Sequence, residues 1–323
     1  MKDNVRKAVS DYGMIEAGDS VTVALSGGAD SVSLLYTLRE LKDELGFSLS
    51  ACHINHNLRG AESDRDQRFA ESLCKKLSVP VSVFSVDVKG TVRKHQSVEE
   101  RARELRYEIF ERLAREANAK IATAHNANDN AETVLLNLLR GTGLKGLCGI
   151  PPVRDYIIRP LIYTPRTAIE AFCAENGIEY VTDRTNLSTD YTRNKIRLDI
   201  LPRLAEINPS LIDGIARMTG NLNEDSLYLE GLALEAKNNA QIAPKKYDCR
   251  VLYANEPCIL HRAISLILRE SDIEPTHLKI TGISKIIGEN HGKINIEKNK
   301  FAVSKKGIFE IQTVLQNYRQ KNT

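Results

Sequence analysis

Apolar residues in the first part of the chain follow two different spacings. Residues 21–25 form a short run rich in β-branched side chains, and a glycine pair follows directly. After the glycines, apolar residues recur at helical spacing through residues 32–41. The pattern predicts a strand, a loop and a helix in succession.

The same alternation repeats as far as residue 139. It predicts further strands at 49–54, 80–88 and 120–124, and helices at 62–77, 98–118 and 130–139. Strands and helices that alternate in this way indicate an α/β fold with a doubly wound, mainly parallel sheet and right-handed crossovers.

The pattern changes after Gly149. Residues 165–176 and 209–240 have helical spacing, whereas 293–312 alternate apolar and polar residues and predict a terminal hairpin. We therefore predict an α/β catalytic domain at 1–208, a helical linker at 209–242 and a small mixed α/β C-terminal module at 243–323.

Composition narrows the class of protein. The chain has 323 residues, which favours two domains over one. No apolar run approaches the roughly 18 residues that span a bilayer, and the first residues are hydrophilic, so we expect a cytoplasmic protein without a membrane partner. The net charge of +3 permits a polyanionic partner without requiring one. The six cysteines contain no CxxC pair, and we expect them to be reduced.

The loop after the first strand carries the strongest chemical signal. A glycine pair between a buried strand and a helix lets backbone N–H groups converge on a phosphate, and the helix N-terminus adds partial positive charge. Asp30 supplies a carboxylate for a Mg²⁺ ion that bridges phosphates. The alternative is a tight turn with Ser31 as the helix cap. The predicted nucleotide-binding residues of this loop are Ser26, Gly27, Gly28, Ala29, Asp30 and Ser31.

The loop lacks the lysine of a Walker A motif and resembles instead the pyrophosphate loop of the ATP pyrophosphatase (PP-loop) superfamily. Over residues 20–205 the segments resemble, in order, those of the tRNA(Ile)-lysidine synthetase family. The segments are Ala51-Cys52-His53-Ile54-Asn55-His56, Glu99-x-x-Ala102-Arg103-x-x-Arg106-Tyr107, Ala124-His125-Asn126-Ala127-Asn128-Asp129-Asn130-Ala131-Glu132-Thr133, Ile158-Arg159-Pro160-Leu161, Asp183-x-x-Asn186 and Thr192-Arg193-Asn194-Lys195-Ile196-Arg197.

This resemblance implies a ligase that uses ATP and Mg²⁺ to join free L-lysine to C2 of the wobble cytidine in tRNA(Ile) with a CAU anticodon. Cytidine O2 attacks the α-phosphate of ATP, and the lysine amine then displaces AMP. Direct displacement would expel an oxide, so activation is chemically necessary. The resemblance also implies that the C-terminal module contacts tRNA, and the chain is too short for the second C-terminal domain of longer members. The oligomeric state stays open, a homodimer among the alternatives.

Lysine as a nucleophile requires nearby acids or a histidine, because an amine with a pKa of about 10.4 is mostly protonated at pH 7. His125, Asp129 and Glu132 meet this need, and on a helix they would share one face. The alternative is that Asp129 and Glu132 form a capping box. The resemblance favours the catalytic interpretation, although Asn128 and Asn130 depart from the two acids and glutamine that the family more often shows.

Other candidates surround these residues. Arg103 and Arg106 are three residues apart, and we favour Arg106 as the catalytic arginine over a solvated, salt-bridged surface. His53 ends the second predicted strand, where it either contacts the nucleotide or belongs to the core.

A second set of residues is suited to RNA. A compact group of donors suits phosphate or sugar contacts, and an arginine beside a glycine-rich turn suits the target nucleotide. A solvated helix face is the alternative. The predicted tRNA-binding residues are Arg140, Arg193, Asn194, Lys195 and Arg197.

Three other functions share part of this pattern. A tRNA cytidine thiolase of the same superfamily resembles a class that holds an iron–sulfur cluster with paired cysteines, which are missing here. A non-catalytic nucleotide-binding module needs neither the acids nor the basic segment. A glutamine-dependent amidating synthetase needs a glutaminase domain or partner, and no cysteine lies at the N-terminus.

Overall fold

The structure is a computed structural model that describes residues 1–58, 60–94, 96–181 and 191–313. It divides into two compact units, Met1–Leu222 and Asn223–Thr323. Within those described residues, no helix is long and apolar enough to cross a membrane.

Strands and helices alternate in the first unit, as the apolar pattern predicts. Its strands are β1 (Ser20–Ala24), β2 (Ser48–Asn55), β3 (Val81–Ser85), β4 (Ala119–Ala122), β5 (Val153–Arg154) and β6 (Ile157–Ile158). Its helices are α1 (Lys2–Asp11), α2 (Ala29–Leu45), α3 (Ala61–Leu77), α4 (Val88–Thr91), α5 (Val98–Ala117), α6 (Ala127–Leu139), α7 (Leu144–Leu147), α8 (Arg166–Glu175), α9 (Tyr191–Lys195) and α10 (Leu201–Ile207). A π-helical turn, Ile196–Ile200, joins α9 to α10, and helix α11 (Leu211–Ala240) contains the division between the units.

The six strands form one sheet in the order β3-β2-β1-β4-β6-β5. Strand β1 pairs in parallel with β2 and β4, and β6 pairs in parallel with β4. Only the edge strand β5 is antiparallel among these pairings. The predicted doubly wound, mainly parallel sheet is therefore confirmed.

Both faces of this sheet are covered. In β2, Ala51 packs into one apolar cluster and Cys52 into another, and in β4 Ala122 and Ile121 do the same. Successive side chains of a strand point to opposite faces, so two helical layers must bury them. The polar loops that follow these parallel strands meet at one edge, where ligands bind in folds of this kind.

The second unit has its own sheet and core. Its strands are β7 (Gln241–Ala243), β8 (Lys246–Asp248), β9 (His291–Glu297), β10 (Lys300–Lys305) and β11 (Ile308–Thr313), and its helices are α12 (Cys249–Tyr253), α13 (Pro257–Arg269) and α14 (His277–Gly288). The sheet order is β7-β8-β11-β10-β9, with antiparallel pairs throughout. Tyr247 and Phe309 are buried in its core, with ring centroids 6.3 Å apart.

The predicted terminal hairpin is wrong in extent, because three strands stand in its place. The chain reverses twice, once at Asn299 and once at Lys306, both of which have positive φ angles of 65° and 51°. Residues with left-handed backbone end a strand in a tight turn, so 293–312 makes two successive hairpins.

Candidate active site

Residues 25–28 form the loop that joins β1 to α2, and residues 29–31 begin α2. Gly27 has a φ of +91°, a left-handed conformation that favours glycine. The Ser31 hydroxyl donates to the Gly28 carbonyl at 3.0 Å and lies 3.0 Å from the Ser26 hydroxyl. Gly28 is the N-cap of α2, so the alternative with Ser31 as cap is wrong. No side chain within the described ranges caps α2, and its first N–H groups are open to an anion.

Asp30 lies in the first turn of α2, with its side chain 27% exposed. Arg166, the first residue of α8, donates from Nη2 to Asp30 Oδ2 at 3.1 Å. Burial raises the pKa of Asp30 above its ordinary value, and the neighbouring Asp129 also raises this pKa, whereas Arg166 lowers it. The ionised carboxylate is therefore incompletely compensated, as in a site that receives a cation.

The residues near Asp30 fit Mg²⁺ rather than a fully protein-coordinated metal. Mg²⁺ takes one or two carboxylates together with phosphate oxygens and water. Among the residues whose positions are described, no group of three or more His, Cys, Asp or Glu side chains is arranged to hold a metal ion. Asp30, with Asp129 close enough to raise its pKa, supplies the hard oxygen donors that a phosphate-bound cation requires.

Helix α6 begins at Ala127, three residues earlier than predicted. Asn126 is its N-cap, because Asn126 Oδ1 accepts hydrogen bonds from the N–H groups of Asn128 at 2.9 Å and Asp129 at 3.1 Å. Asp129 Oδ2 accepts in return from the Asn126 N–H at 3.1 Å, which completes a capping box. The alternative prediction, a capping box formed by Asp129 and Glu132, is wrong because the box lies one turn earlier, at Asn126 and Asp129. Glu132 takes no part in capping α6.

Glu132 is a buried carboxylate held by two arginines. Its side chain is 2% exposed. Arg197 donates from Nε to Oε1 at 2.6 Å and from Nη2 to Oε2 at 3.0 Å, and Arg193 Nε donates to Oε2 at 3.0 Å. Arg197 Nη2 also lies 3.2 Å from Asp129 Oδ1. A buried charge is tolerated when it is paired and hydrogen-bonded in this way.

Acids and arginines from four separate segments thus lie side by side at the carboxyl edge of the sheet. The charges of Arg166, Asp129 and Arg197 all act on Asp30, which connects the phosphate loop to the acids of α6. We refer to these six residues as the mixed-charge cluster: Asp30, Asp129, Glu132, Arg166, Arg193 and Arg197.

His125 precedes α6, so the predicted helix face shared with Asp129 and Glu132 is wrong for this residue. Its Nδ1 lies 3.0 Å from Thr123 Oγ1. Burial, together with the positive charge of Arg159, lowers the pKa of His125 to about 3. The ring is therefore neutral at pH 7 and suited to hydrogen bonding more than to taking a proton from an ammonium group.

Two further candidates are His53 on β2 and Arg106 on α5. His53 is 4% exposed, and its Nδ1 donates to the Leu25 carbonyl at 2.9 Å, directly before the phosphate loop. Arg106 is exposed, and its positive charge contributes to the lowered pKa of both His125 and His56. Arg106 therefore faces the loops at the carboxyl edge, as does Arg103, whose charge also acts on His125.

Known proteins match this arrangement over most of the chain. A family model described as a PP-loop domain matches residues 1–204. The tRNA(Ile)-lysidine synthase of Clostridium tetani (strain Massachusetts / E88) is 41% identical over 276 residues, which cover 84% of this chain and 58% of the relative. That of Clostridium perfringens (strain 13 / Type A) is 37% identical over 336 residues, which cover 100% of this chain and 71% of the relative.

The chain belongs to the tRNA(Ile)-lysidine synthase family. Its PP-loop domain supports the use of ATP. The chain spans 58% and 62% of the length of the C. tetani and Clostridioides difficile (strain 630) members of the family.

A solved structure shares the fold of this tRNA(Ile)-lysidine synthase family member. The U34-tRNA thiolase NcsA from Methanococcus maripaludis, with its [4Fe-4S] cluster, superposes with a TM-score of 0.58 and 22% identity. The match covers 69% of this chain and 78% of the thiolase. In the present chain all six cysteines lie among the described residues, none of them forms a disulfide, and five of them are buried.

The predicted RNA-binding residues do not form one group in this family member. Arg193 and Arg197 face the acids of α6, whereas Lys195 between them is exposed and Asn194 is half-buried. Arg140 is exposed at the end of α6, about 16 Å along the helix from Asp129. Asp183 and Asn186 of the family motif lie outside the described residues.

Sequence reasoning missed two residues that shape the site. Asn126 caps α6 and is fully buried, and its signal was an Asn with an acid three residues later, directly before an apolar run. Arg166 pairs with Asp30, and its backbone N–H donates to Asn128 Oδ1 at 2.9 Å. Its only local signal was its place directly after Pro165, at the start of a helix.

Proposed function

We propose that the chain joins free L-lysine to C2 of the wobble cytidine in tRNA(Ile) with a CAU anticodon. In the first step cytidine O2 attacks the α-phosphorus of ATP, and pyrophosphate leaves. In the second step the side-chain amine of lysine attacks C2, a proton leaves the nitrogen, and AMP departs with the original O2. Membership of the tRNA(Ile)-lysidine synthase family supports this substrate class.

The phosphate loop and α2 serve the first step. The open N–H groups at the start of α2 bind the phosphates of ATP, and Asp30 holds Mg²⁺ against them. When bound, Mg²⁺ neutralises the charge that develops on the leaving pyrophosphate. Arg166 lies 3.1 Å from Asp30 and places a further positive charge beside the same phosphates.

The mixed-charge cluster is the feature of the structure that best supports the second step, the attack of lysine on C2. Free lysine is zwitterionic, with a carboxylate and two amines, and a set of interleaved acids and arginines complements both signs. Asp129 and Glu132 attract the ammonium group of lysine. Arg193 and Arg197 bind the carboxylate of lysine and the phosphate of the AMP group. Neutral His125 accepts or donates a hydrogen bond beside them.

The proposed substrates bear on where the protein acts. ATP, tRNA and free lysine are cytoplasmic metabolites, and we propose that the protein acts there.

The proposal is tested by ATP–pyrophosphate exchange. We expect exchange of labelled pyrophosphate into ATP only when tRNA(Ile) with a CAU anticodon is present, because cytidine O2 is the nucleophile. Asp30→Ala should abolish it. Exchange that needs lysine but no tRNA would refute the order of steps, and transfer of sulfur instead of lysine would favour a thiolase.

A further inference from the structure

Tyr107 lies between two guanidinium groups on the side of α5 that faces the site. The Arg103 Cζ atom is 5.2 Å from the Tyr107 ring centroid, and the Arg154 Cζ atom is 5.3 Å from it. The ring itself is fixed by an edge contact with Phe110, with centroids 5.9 Å apart. Cation–π contacts with this ring restrict the two long arginine side chains, which would otherwise be mobile.

A third arginine, Arg159, lies close to Arg103 and Arg154, whose charges act on it. Arg159 is 3% exposed, and one of its terminal nitrogens donates to the Pro151 carbonyl. Its Nε is buried without a hydrogen-bond partner among the described residues. A buried, unsatisfied donor on a charged group is costly unless a ligand completes it. We refer to Arg103, Tyr107, Arg154 and Arg159 as the Tyr107 cluster.

The positive charge of the Tyr107 cluster has no ion-paired carboxylate among the described residues. In the part of the chain that the structure describes, its three arginines form no ion pair. Nearby acids on α5 are committed elsewhere, since Glu100 accepts from the Ser97 N–H at 2.8 Å and Glu104 pairs with Arg101 at 2.9 Å. Like charges held together without counter-charges mark a site for an anion.

The Tyr107 cluster adjoins the reaction site. Arg159 and Arg103 are among the charges that act on His125, so the cluster lies next to the loop between β4 and α6. It is separate from the phosphate loop, where Asp30 and Arg166 pair with each other. Arg103 and Arg154 are exposed, and a ligand reaches them from solvent.

We propose that the Tyr107 cluster binds phosphodiester groups of the single-stranded anticodon loop next to the target cytidine, an inference that rests on the proposed function. Single-stranded RNA is recognised through splayed nucleotides, arginine planes and backbone phosphates, which this arrangement provides. Arg103 and Arg154 contact the phosphates, and Tyr107 positions both groups.

The test measures the binding of an anticodon stem-loop RNA over a range of salt concentrations. Each lost phosphate contact should reduce the slope of log affinity against log salt by about 0.7 to 0.9. We expect this reduction for Arg103→Gln and for Arg154→Gln, and about twice the reduction for the double variant. Arg154→Lys keeps the charge and should restore most of the slope.

The matched control is Arg115→Gln, which removes an exposed positive charge from the last turn of the same helix. Its slope should equal that of the wild type. ATP affinity, titrated without RNA, should be unchanged in every variant.

Three results would overturn the inference. Slopes for Arg103→Gln and Arg154→Gln that equal the slope for Arg115→Gln would show that neither arginine contacts RNA. Reduced ATP affinity with unchanged RNA slopes would assign the cluster to the nucleotide phosphates. A wild-type protein that does not bind the stem-loop would count against the proposed function itself and overturn the inference with it, so the two failures are separate results.

Discussion

Glu132 combines almost complete burial with two arginine partners, and its role can be separated from folding. Glu132→Gln keeps the shape of the side chain and removes its charge. We expect tRNA-dependent ATP–pyrophosphate exchange to persist and lysine transfer to fall by about 100-fold, because only the second step uses the amine. Labelled lysine in RNA measures the second step.

The control for Glu132 is Glu170→Gln, which removes an exposed acid from α8. It should leave both steps at the wild-type rate. Equal loss of exchange and lysine transfer in Glu132→Gln would show that Glu132 supports the whole site structurally.

Arg166 should matter for ATP and not for lysine. Its guanidinium lies beside Asp30, and a charged hydrogen bond contributes about 1.5 to 3 kcal/mol. We expect Arg166→Gln to weaken ATP binding by about tenfold or more, measured with a fluorescent ATP analogue, and Arg166→Lys to recover part of the affinity. Unchanged ATP affinity with a lowered melting temperature would make Arg166 a purely structural partner of Asp30.

For individual residues, the sequence predicts which side chains lie together at the site but not which of them form ion pairs. The motif residues Asp30, Asp129 and Glu132 do lie together, as expected from the loops at the carboxyl edge of a parallel sheet. The pairing of Glu132 with Arg193 and Arg197 joins residues 61 and 65 positions apart. Such contacts depend on where distant segments meet, so local spacing predicted a separate RNA-binding role for both arginines.

Helix α6 is fixed to its neighbours by Asn130 and Gly149. Asn130 Oδ1 accepts from the Ile150 N–H at 2.8 Å, and its Nδ2 donates to Thr219 Oγ1 at 3.0 Å. Gly149 has a φ of +72°, and a Cβ there would lie 2.1 Å from Asn130 Oδ1. Asn130 thus ties α6 to the segment that follows α7 and to α11.

We expect Gly149→Ala to lower the free energy of unfolding by about 2 to 3 kcal/mol, because it displaces Asn130 and strains the backbone. The control is Gly214→Ala in α11, where a Cβ meets no atom of the described residues within 4 Å. There the substitution should raise the free energy of unfolding by about 0.5 to 1 kcal/mol. Urea denaturation distinguishes the two, and equal effects would contradict this explanation.

The helices and strands were predictable where they were long and strongly periodic. Strands β5 and β6 have two residues each, too few to show a period, so their addition to the sheet was not predicted. Helix α6 was predicted too short because Asn126, not Asp129, is its N-cap. For β9, β10 and β11 the sequence correctly predicted antiparallel strands, but it predicted one hairpin where the structure has two successive hairpins.

Helix α11 shows why boundaries between units are hard to predict. Near its start Ile215 is buried in a cluster of the first unit, and at its end Ala240 is buried in the core of the second. Periodicity identifies one continuous helix and carries no mark of where one core ends, so the predicted boundaries at 208 and 242 stay predictions.

The stability of the whole molecule should fall on acidification. Burial lowers the pKa of His125 to about 3 and of His56 to about 4, whereas an unfolded histidine titrates near pH 6.5. Because the unfolded chain binds more protons below that pH, stability is full above it and falls as the pH drops, by at most about 1.4 kcal/mol per pH unit for each histidine.

We expect this loss between pH 6.5 and about 4 for His56 and between pH 6.5 and about 3 for His125, measured by urea denaturation at a series of pH values. His56→Asn combined with His125→Asn should flatten the profile. A wild-type profile that is flat in this range would contradict the buried, neutral state of both rings.

We propose that this chain transfers lysine to a cytidine that ATP has activated. The most direct measurement incubates the protein with ATP, Mg²⁺, labelled lysine and unmodified tRNA(Ile) with a CAU anticodon, beside the same tRNA with uridine in place of the wobble cytidine. We expect ATP-dependent label in the first RNA and none in the second. Absence of label from both, or equal label in both, would contradict it.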